Sequence, residues 1–320
     1  METTTIAVLT SGWSAEPAAV ERALPDDRVI TVERGGSLAA VAEAEIGIIP
    51  PDAERARALL AAAPRLRWLH TISAGVERLL IPEIVDRPDL VLTNNTGAYD
   101  VPIAEHVVAM LFAASKRVRE HLAAQGRHEW QRDLGHTELR DATLVILGLG
   151  SIGTELARLA SGLGMRVLGV RRDTSRPVPG VERIAAPGQL GDLVAEADYL
   201  AVTAALTPAT RGLVSADVIA RLRPHAWIVN IARGAIIDEP ALVAALQERR
   251  IGGAALDVFA VEPLPAESPL WGLENVIVTP HVSNSSPRVR ERSLALVVEN
   301  VRRFKAGEPL LNVVDKAAGY

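Results

Sequence analysis

Between Val145 and Arg172 the chain reads VILGLGSIGTELARLASGLGMRVLGVRR, an order that few folds can accommodate. The apolar run Leu144–Leu147 predicts a buried strand, and Gly148, Gly150 and Gly153 follow it at G-x-G-x-x-G spacing. Ile152, Leu156, Leu159 and Leu163 then recur at helical spacing, Gly164 closes the helix, and Met165–Val170 predicts a second strand. Strand, glycine turn, helix and strand are the context that a dinucleotide fingerprint requires. Gly148 permits the tight turn, Gly150 lets a pyrophosphate approach bare backbone, and Gly153 lets the helix lie close on the sheet. The helix N-terminus offers amides and a positive dipole end to the phosphates. An ordinary glycine-rich turn would carry the three glycines without the rest of this unit.

Composition narrows the remaining choices. A chain of 320 residues is long enough for two domains. Its 48% hydrophobic and 23% charged residues form an ordinary globular mixture. The net charge is −5 and no lysine–arginine run forms a basic stripe, which argues against nucleic acid and anionic membrane as partners. With 0 cysteines, disulfides and thiolate chemistry are excluded. The N-terminal METTT leads straight into a strand-like Ile6–Leu9, and no apolar run reaches membrane-spanning length. A cytoplasmic protein is the expectation.

Upstream of the fingerprint, strand and helix patterns alternate, which predicts a parallel sheet with helices on its faces. Strands are expected at Ile6–Thr10, Arg28–Glu33, Ile46–Ile49, Leu66–Ile72 and Leu90–Thr93. Helices are expected at Glu16–Leu24, Leu38–Ala44 and Ala53–Ala62. Ser73, Ala74, Gly75 and Val76 follow a strand end, where a turn of backbone amides can hold an anion; they also read as a plain turn. Asp100 reads as the N-cap of a long helix with Pro102 in its first turn, running on towards Val118. His106 on that helix has no partner histidine at metal-binding spacing and reads as a structural, hydrogen-bonded residue. Gln125–Arg140, with Trp130 embedded, reads as a polar loop. Downstream, helices are expected at Leu190–Ala197, Val214–Leu222 and Ala241–Arg249. Strands are expected at Tyr199–Ala204, Trp227–Ile231, Gly253–Val258 and Val276–Thr279, followed by an amphipathic helix, Arg288–Phe304.

Three strand ends carry reactive groups. Arg233 follows one, Asp257 sits on another with Glu262 in the loop behind it, and His281 follows the last. Ligands of open α/β sheets bind at such carboxyl ends. Taken singly, Arg233 is a surface charge, Glu262 a solvated acid and His281 a packing residue. Together they fit hydride transfer to a 2-oxo acid. That reaction needs a cation for the carboxylate and carbonyl, a proton donor at the oxo oxygen, and a carboxylate to hold the donor charged.

With PIAEH at Pro102–His106 followed in order by GLGSIG, VNIARG, LDVFAVEPLP and TPH, the chain resembles the D-isomer-specific 2-hydroxyacid dehydrogenase family over essentially its whole length. The resemblance implies an α/β fold in which a Rossmann doubly wound parallel sheet domain is inserted into a flavodoxin-like substrate domain. Residues 1–99 and 284–320 would form the substrate domain, residues 100–283 the NAD(P)-binding domain, and the cleft would hold the active site. It implies Arg233 as substrate-binding and electrostatic catalyst, His281 as acid/base and Glu262 as its orienting partner. Ser73, Ala74, Gly75 and Val76 would join Arg233 and His281 in binding the substrate. Cofactor contacts would come from Gly148, Gly150, Ser151, Ile152, Gly153, Arg171, Arg172, Thr207, Ala232 and Asp257, the last near the nicotinamide carboxamide. No metal is implied. The helix from Asp100 and the Trp130 loop resemble the family's dimerisation region, so a homodimer is implied. The expected product is the D-2-hydroxy acid from a glyoxylate- or hydroxypyruvate-like or aryl 2-oxo acid. Corepressors of the C-terminal-binding-protein type resemble the same family, so a non-enzymatic NAD(H)-sensing interaction protein is the alternative.

There are departures. Thr203 and Ala205 stand where the family often reads His and Pro, and Val-Ser-Asn-Ser-Ser follows His281 where glycine and small residues are commoner. A glutamine usually replaces Glu262 in formate dehydrogenases of the same fold. The second strand of the fingerprint ends in Val170-Arg171-Arg172-Asp173-Thr174-Ser175. NAD-preferring units place an acid there for the ribose 2′-hydroxyl. Arg171 in its place offers a planar fork to a 2′-phosphate, predicting NADP with NAD also accommodated. The alternative is that Asp173 swings back to the ribose.

Overall fold

The computed structural model describes residues 3–10 and 17–320; the expected start of the first helix at Glu16 lies outside them. Residues 1–99 together with 286–320 form one compact unit, and residues 100–285 form a second.

In the first unit the elements run β1 (Thr5–Leu9), α1 (Pro17–Ala23), β2 (Arg28–Val32), β3 (Ile46–Ile49), α2 (Ala53–Ala62), β4 (Trp68–Thr71), α3 (Pro82–Val85) and β5 (Val91–Thr93). The five strands are all parallel in the order β2-β1-β3-β4-β5, the flavodoxin-like arrangement. Successive side chains of a strand point to opposite faces, so a buried parallel strand needs apolar residues at every position. In β1, Ile6 and Val8 pack with Val20 of α1 and with Val297 and Val301 of the last helix, while Ala7 and Leu9 pack with Ala56 and Leu59 of α2. Gly47 lets β3 sit under α2: a Cβ there would lie 2.7 Å from Leu59 and 2.9 Å from Leu69. The expected helix Leu38–Ala44 is only a 3-10 turn at Ala39–Val41, one buried valine between exposed neighbours being too little to hold a longer helix.

The second unit begins with α4 (Asp100–Ser115) and α5 (Val118–Gly126). The expected single helix is therefore interrupted. Arg117 takes a left-handed φ of 51°, and the Ser115 carbonyl accepts from Thr137 outside the helix. Asp100 is the first helical residue, not a cap outside it. Then come β6 (Thr143–Leu147), α6 (Ser151–Gly162), β7 (Arg166–Val170), β8 (Arg183–Ala185), α7 (Leu190–Val194), β9 (Tyr199–Val202) and α8 (Ala216–Ala220). β10 (Trp227–Asn230), α9 (Glu239–Gln247), β11 (Gly253–Leu256) and β12 (Val276–Val278) complete it. The chain then returns to the first unit through α10 (Pro287–Ala306), capped by Ser286 and stopped by Gly307 at a φ of 67°.

All seven strands of the second sheet are parallel, in the order β12-β11-β10-β9-β6-β7-β8. This is a Rossmann sheet, and the order reverses between β6 and β9. β8, only three residues at the sheet edge, carried no sequence signal. α9 starts at Glu239 rather than Ala241 because Asp238 caps it, accepting from Ala241 N. Among the described residues no helix is long and apolar enough to cross a membrane.

One buried group in the first unit titrates out of range. His70 on β4 is fully buried, with Nδ1 2.8 Å from Thr93 Oγ1 and Nε2 without a partner. Burial pushes its imidazole down to about 4. Below its ordinary value near 6.5 the unfolded chain takes up a proton that the folded chain refuses, so stability falls with pH through this window. Denaturant unfolding from pH 6.5 to 4 will show the parent losing about 3 kcal/mol more than His70→Gln. Equal losses would contradict this.

Candidate active site

The turn after β6 is shaped by contacts that no side chain could survive. Gly148 has a φ of 107°, and a Cβ on it would lie 2.5 Å from the Ala204 amide. A Cβ on Gly153 would lie 2.0 Å from the Gly148 carbonyl oxygen, so α6 is pressed onto the turn that precedes it. Gly150 differs: a Cβ there would meet nothing within 4 Å. It opens the first turn of α6, where no side chain caps the helix amides. Bare backbone on an open side and an uncapped helix N-terminus, at the reversal of strand order, fit the pyrophosphate of a dinucleotide. Ile152 lies in that first turn, and the Ser151 hydroxyl donates to Asp100 at 2.9 Å.

Thr203, which follows β9, donates its hydroxyl to the Gly148 carbonyl at 2.6 Å. This brace was not legible beforehand, because the sequence marked Thr203 only as a departure. Thr207 begins a tight turn, its amide donating to Thr210 Oγ1 at 2.8 Å. Arg171 leaves β7 and folds its guanidinium onto the carbonyls of Asp173 and Arg176, holding the cationic loop together. Arg172 follows it in that loop. The Asp173 carboxylate accepts from the Ser175 amide at 2.9 Å and hydroxyl at 2.5 Å. These bonds hold its carboxyl below the usual range and turn it towards its own loop.

Arg233 stands on a turn clamped by Asn230 at the end of β10, whose side chain accepts from the Ala232 amide at 3.1 Å and donates to the Arg233 carbonyl at 3.1 Å. The guanidinium also donates to the Ala232 carbonyl at 2.7 Å. Gly234 packs the turn against the next loop so closely that a Cβ would fall 1.9 Å from the Phe259 carbonyl carbon. The backbone that carries Arg233 is thereby fixed against the segment leading to Glu262.

His281 Nδ1 lies 2.8 Å from Glu262 Oε2, and Glu262 Oε1 accepts from the Phe259 amide at 3.0 Å. The carboxylate is thus aimed by backbone on one side and aims the imidazole on the other, leaving Nε2 for a ligand. Asp257 lies one residue beyond β11 rather than on it, and is 1% exposed. Its carboxylate accepts from Thr279 Oγ1 at 2.6 Å, Val282 N at 2.9 Å and Ser283 N at 3.0 Å. Burial pushes this carboxyl up, but the bonds from Ser283, Thr279 and the two amides outweigh it and hold it below the usual carboxylate range. His106 is hydrogen-bonded as expected of a structural histidine, with Nε2 3.3 Å from Thr279 Oγ1. Among the described residues no group of three metal-ligating side chains gathers.

In the first unit, the carbonyls of Ile72, Ser73 and Ala74 are taken up from one side. Asn95 and Tyr99 donate side chains to Ile72, the Asn95 amide donates to Ser73 at 3.0 Å, and the Asn94 side chain donates to Ala74 at 3.0 Å. The amides of Ser73, Ala74, Gly75 and Val76 make no such bonds among the described residues. A turn with its carbonyls anchored and its amides unspent suits an anion.

Residues 108–283 match the family model for the NAD binding domain of D-isomer specific 2-hydroxyacid dehydrogenases. A glyoxylate reductase of Korarchaeum cryptofilum is 34% identical over 276 residues, covering 83% of this chain and 80% of that one. A D-isomer specific 2-hydroxyacid dehydrogenase from Xanthobacter autotrophicus Py2, solved with NADPH and MES, superposes with a TM-score of 0.86 at 30% identity, covering 99% of this chain and 100% of that one. An NADPH-dependent glyoxylate/hydroxypyruvate reductase from Sinorhizobium meliloti, solved with NADP and sulfate, gives 0.85 at 31% identity over 100% of both chains.

Proposed function

The chain belongs to the D-isomer specific 2-hydroxyacid dehydrogenase family, and on that premise we propose that it reduces a small 2-oxo acid to the D-2-hydroxy acid. The observation that carries the proposal is the Glu262–His281 pair, 2.8 Å apart, at the carboxyl ends of β11 and β12 in a Rossmann sheet. It is an NAD(P)-dependent enzyme. The cofactor is NADP, with NAD accommodated, and when bound in reduced form it supplies the hydride. The Gly148–Gly153 turn with Ser151 and Ile152 would hold its pyrophosphate, Arg171 and Arg172 its 2′-phosphate, and Thr207, Ala232 and Asp257 the remainder.

The protein's own groups then divide the work. The Arg233 guanidinium binds the substrate carboxylate and polarises the oxo group. His281 Nε2 gives its proton to the oxo oxygen as the carbon accepts hydride, so a hydroxyl forms and a neutral imidazole remains. Glu262, hydrogen-bonded to Nδ1 at 2.8 Å, fixes the ring's direction. The substrate class is a glyoxylate- or hydroxypyruvate-like acid, supported by the names of the relatives.

Three outcomes are expected. In spectrophotometric assays over a panel of 2-oxo acids, His281→Ala lowers kcat by about 10²–10⁴-fold with the best substrate; a variant with parental kcat would refute the acid–base assignment. Arg171→Ala raises KM for NADPH by roughly ten- to a hundredfold, since a charged hydrogen bond is worth about 1.5–3 kcal/mol, and leaves NADH nearly unchanged. A parent enzyme that prefers NADH would contradict that role. Light scattering will give a homodimer. Trp130 is 92% exposed and Leu122 61% exposed, large apolar side chains that a second copy would cover. A monomeric mass at working concentration would remove the dimer.

A further inference from the structure

His281 adopts a φ of 53°, a left-handed conformation that residues other than glycine keep only where their surroundings over-determine it. Much of that determination comes from one residue, Asp257. Asp257 accepts from Thr279 on one side of His281, from Val282 and Ser283 on the other, and its carbonyl accepts from the His281 amide at 2.9 Å.

The Thr279 hydroxyl has one proton, and a carboxylate can only accept, so that proton lies on the 2.6 Å bond to Asp257. The hydroxyl oxygen is left to accept, and the group 3.3 Å from it is His106 Nε2. The imidazole on α4 must therefore present Nε2–H. Burial favours its neutral form, with the Asp257 charge pulling the other way. All donors in this chain point the same way and end on an anion, the arrangement in which each bond strengthens the next.

We propose that His106 and Thr279 are positioning residues of the dehydrogenase. Their donor relay into Asp257 holds the 279–283 backbone so that His281 meets Glu262 and delivers its proton along a fixed line. The proposal rests on the acid–base role given to His281. It assigns function to a histidine and a threonine that reach the proposed acid–base pair only through Asp257.

Thr279→Val keeps the side-chain volume and removes the hydroxyl. The expected result is a fall in kcat of about ten- to a hundredfold, the scale of a sub-ångström to 1 Å misplacement, with KM for the cofactor within about twofold of the parent. Proton delivery then becomes slower relative to hydride transfer, so the solvent isotope effect on kcat rises. Thr279→Ser restores most of kcat. His106→Gln, whose amide can still donate, stays above His106→Leu. Parental kcat and isotope effect in both Thr279→Val and His106→Leu would overturn the relay. Equal damage by serine and valine, or a loss confined to cofactor KM, would also overturn it by showing a purely structural role. Should Thr279→Val fail to fold, the two His106 variants give the same reading. His281→Ala measured alongside separates the two claims. Parental kcat there removes the acid–base role itself, whereas loss there with parental Thr279→Val removes the relay alone.

Discussion

A carboxylate buried to 1% exposure must be surrounded by donors, and in this protein the donors that answer Asp257 are the loop that bears His281. The demand runs in one direction. Without that loop folded over it, Asp257 would be a buried, unpaired charge, and without Asp257 the loop would have no reason to pass through a left-handed residue. The catalytic geometry proposed for Glu262 and His281 is thus a by-product of satisfying a charge that lies deeper in the sheet. The Arg233 turn is fixed by a different route, through Asn230 and the close approach of Gly234 to Phe259. Two independent constraints, one electrostatic and one steric, hold the groups that the reaction needs.

Much of this was legible because the residues involved tolerate few alternatives. The glycine spacing and the buried strand runs each signal local structure strongly, and Ile46–Ile49 and Ala53–Ala62 were read to the residue. The α4–α5 break was not legible. It depends on Arg117 taking a conformation that its side chain does not advertise, and on a hydrogen bond from Thr137 far along the chain. β8 escaped notice because an edge strand of three residues is too short to show an alternation or an apolar run.

The candidate site shows the same division. Arg233, Glu262 and His281 are each ordinary when read singly and stand out in the sequence because together they supply the cation, carboxylate and proton donor of one reaction. Thr203 and Thr279 do not, since a threonine beside a strand is ordinary and its partner is set by the fold. Thr203 reaches the Gly148 carbonyl and Thr279 reaches Asp257, both across strand pairs that no local pattern reveals. Hydroxyls that brace other residues are the part of such a site that single-sequence reasoning passes over.

The return of the chain through α10 has a consequence for biosynthesis. Val297 and Val301 belong to the apolar cluster that covers Ile6, Val8, Ile46 and Trp68, so that face of the first sheet lacks its cover until those last turns have left the ribosome. The second unit, continuous from 100 to 285, has by then been translated in full. The nucleotide-binding half can therefore be finished while the half that starts the chain still waits, its ordering set by contacts between β1 and α10. During that interval the β1–β3 face is the segment of the nascent chain most in need of shielding from other chains.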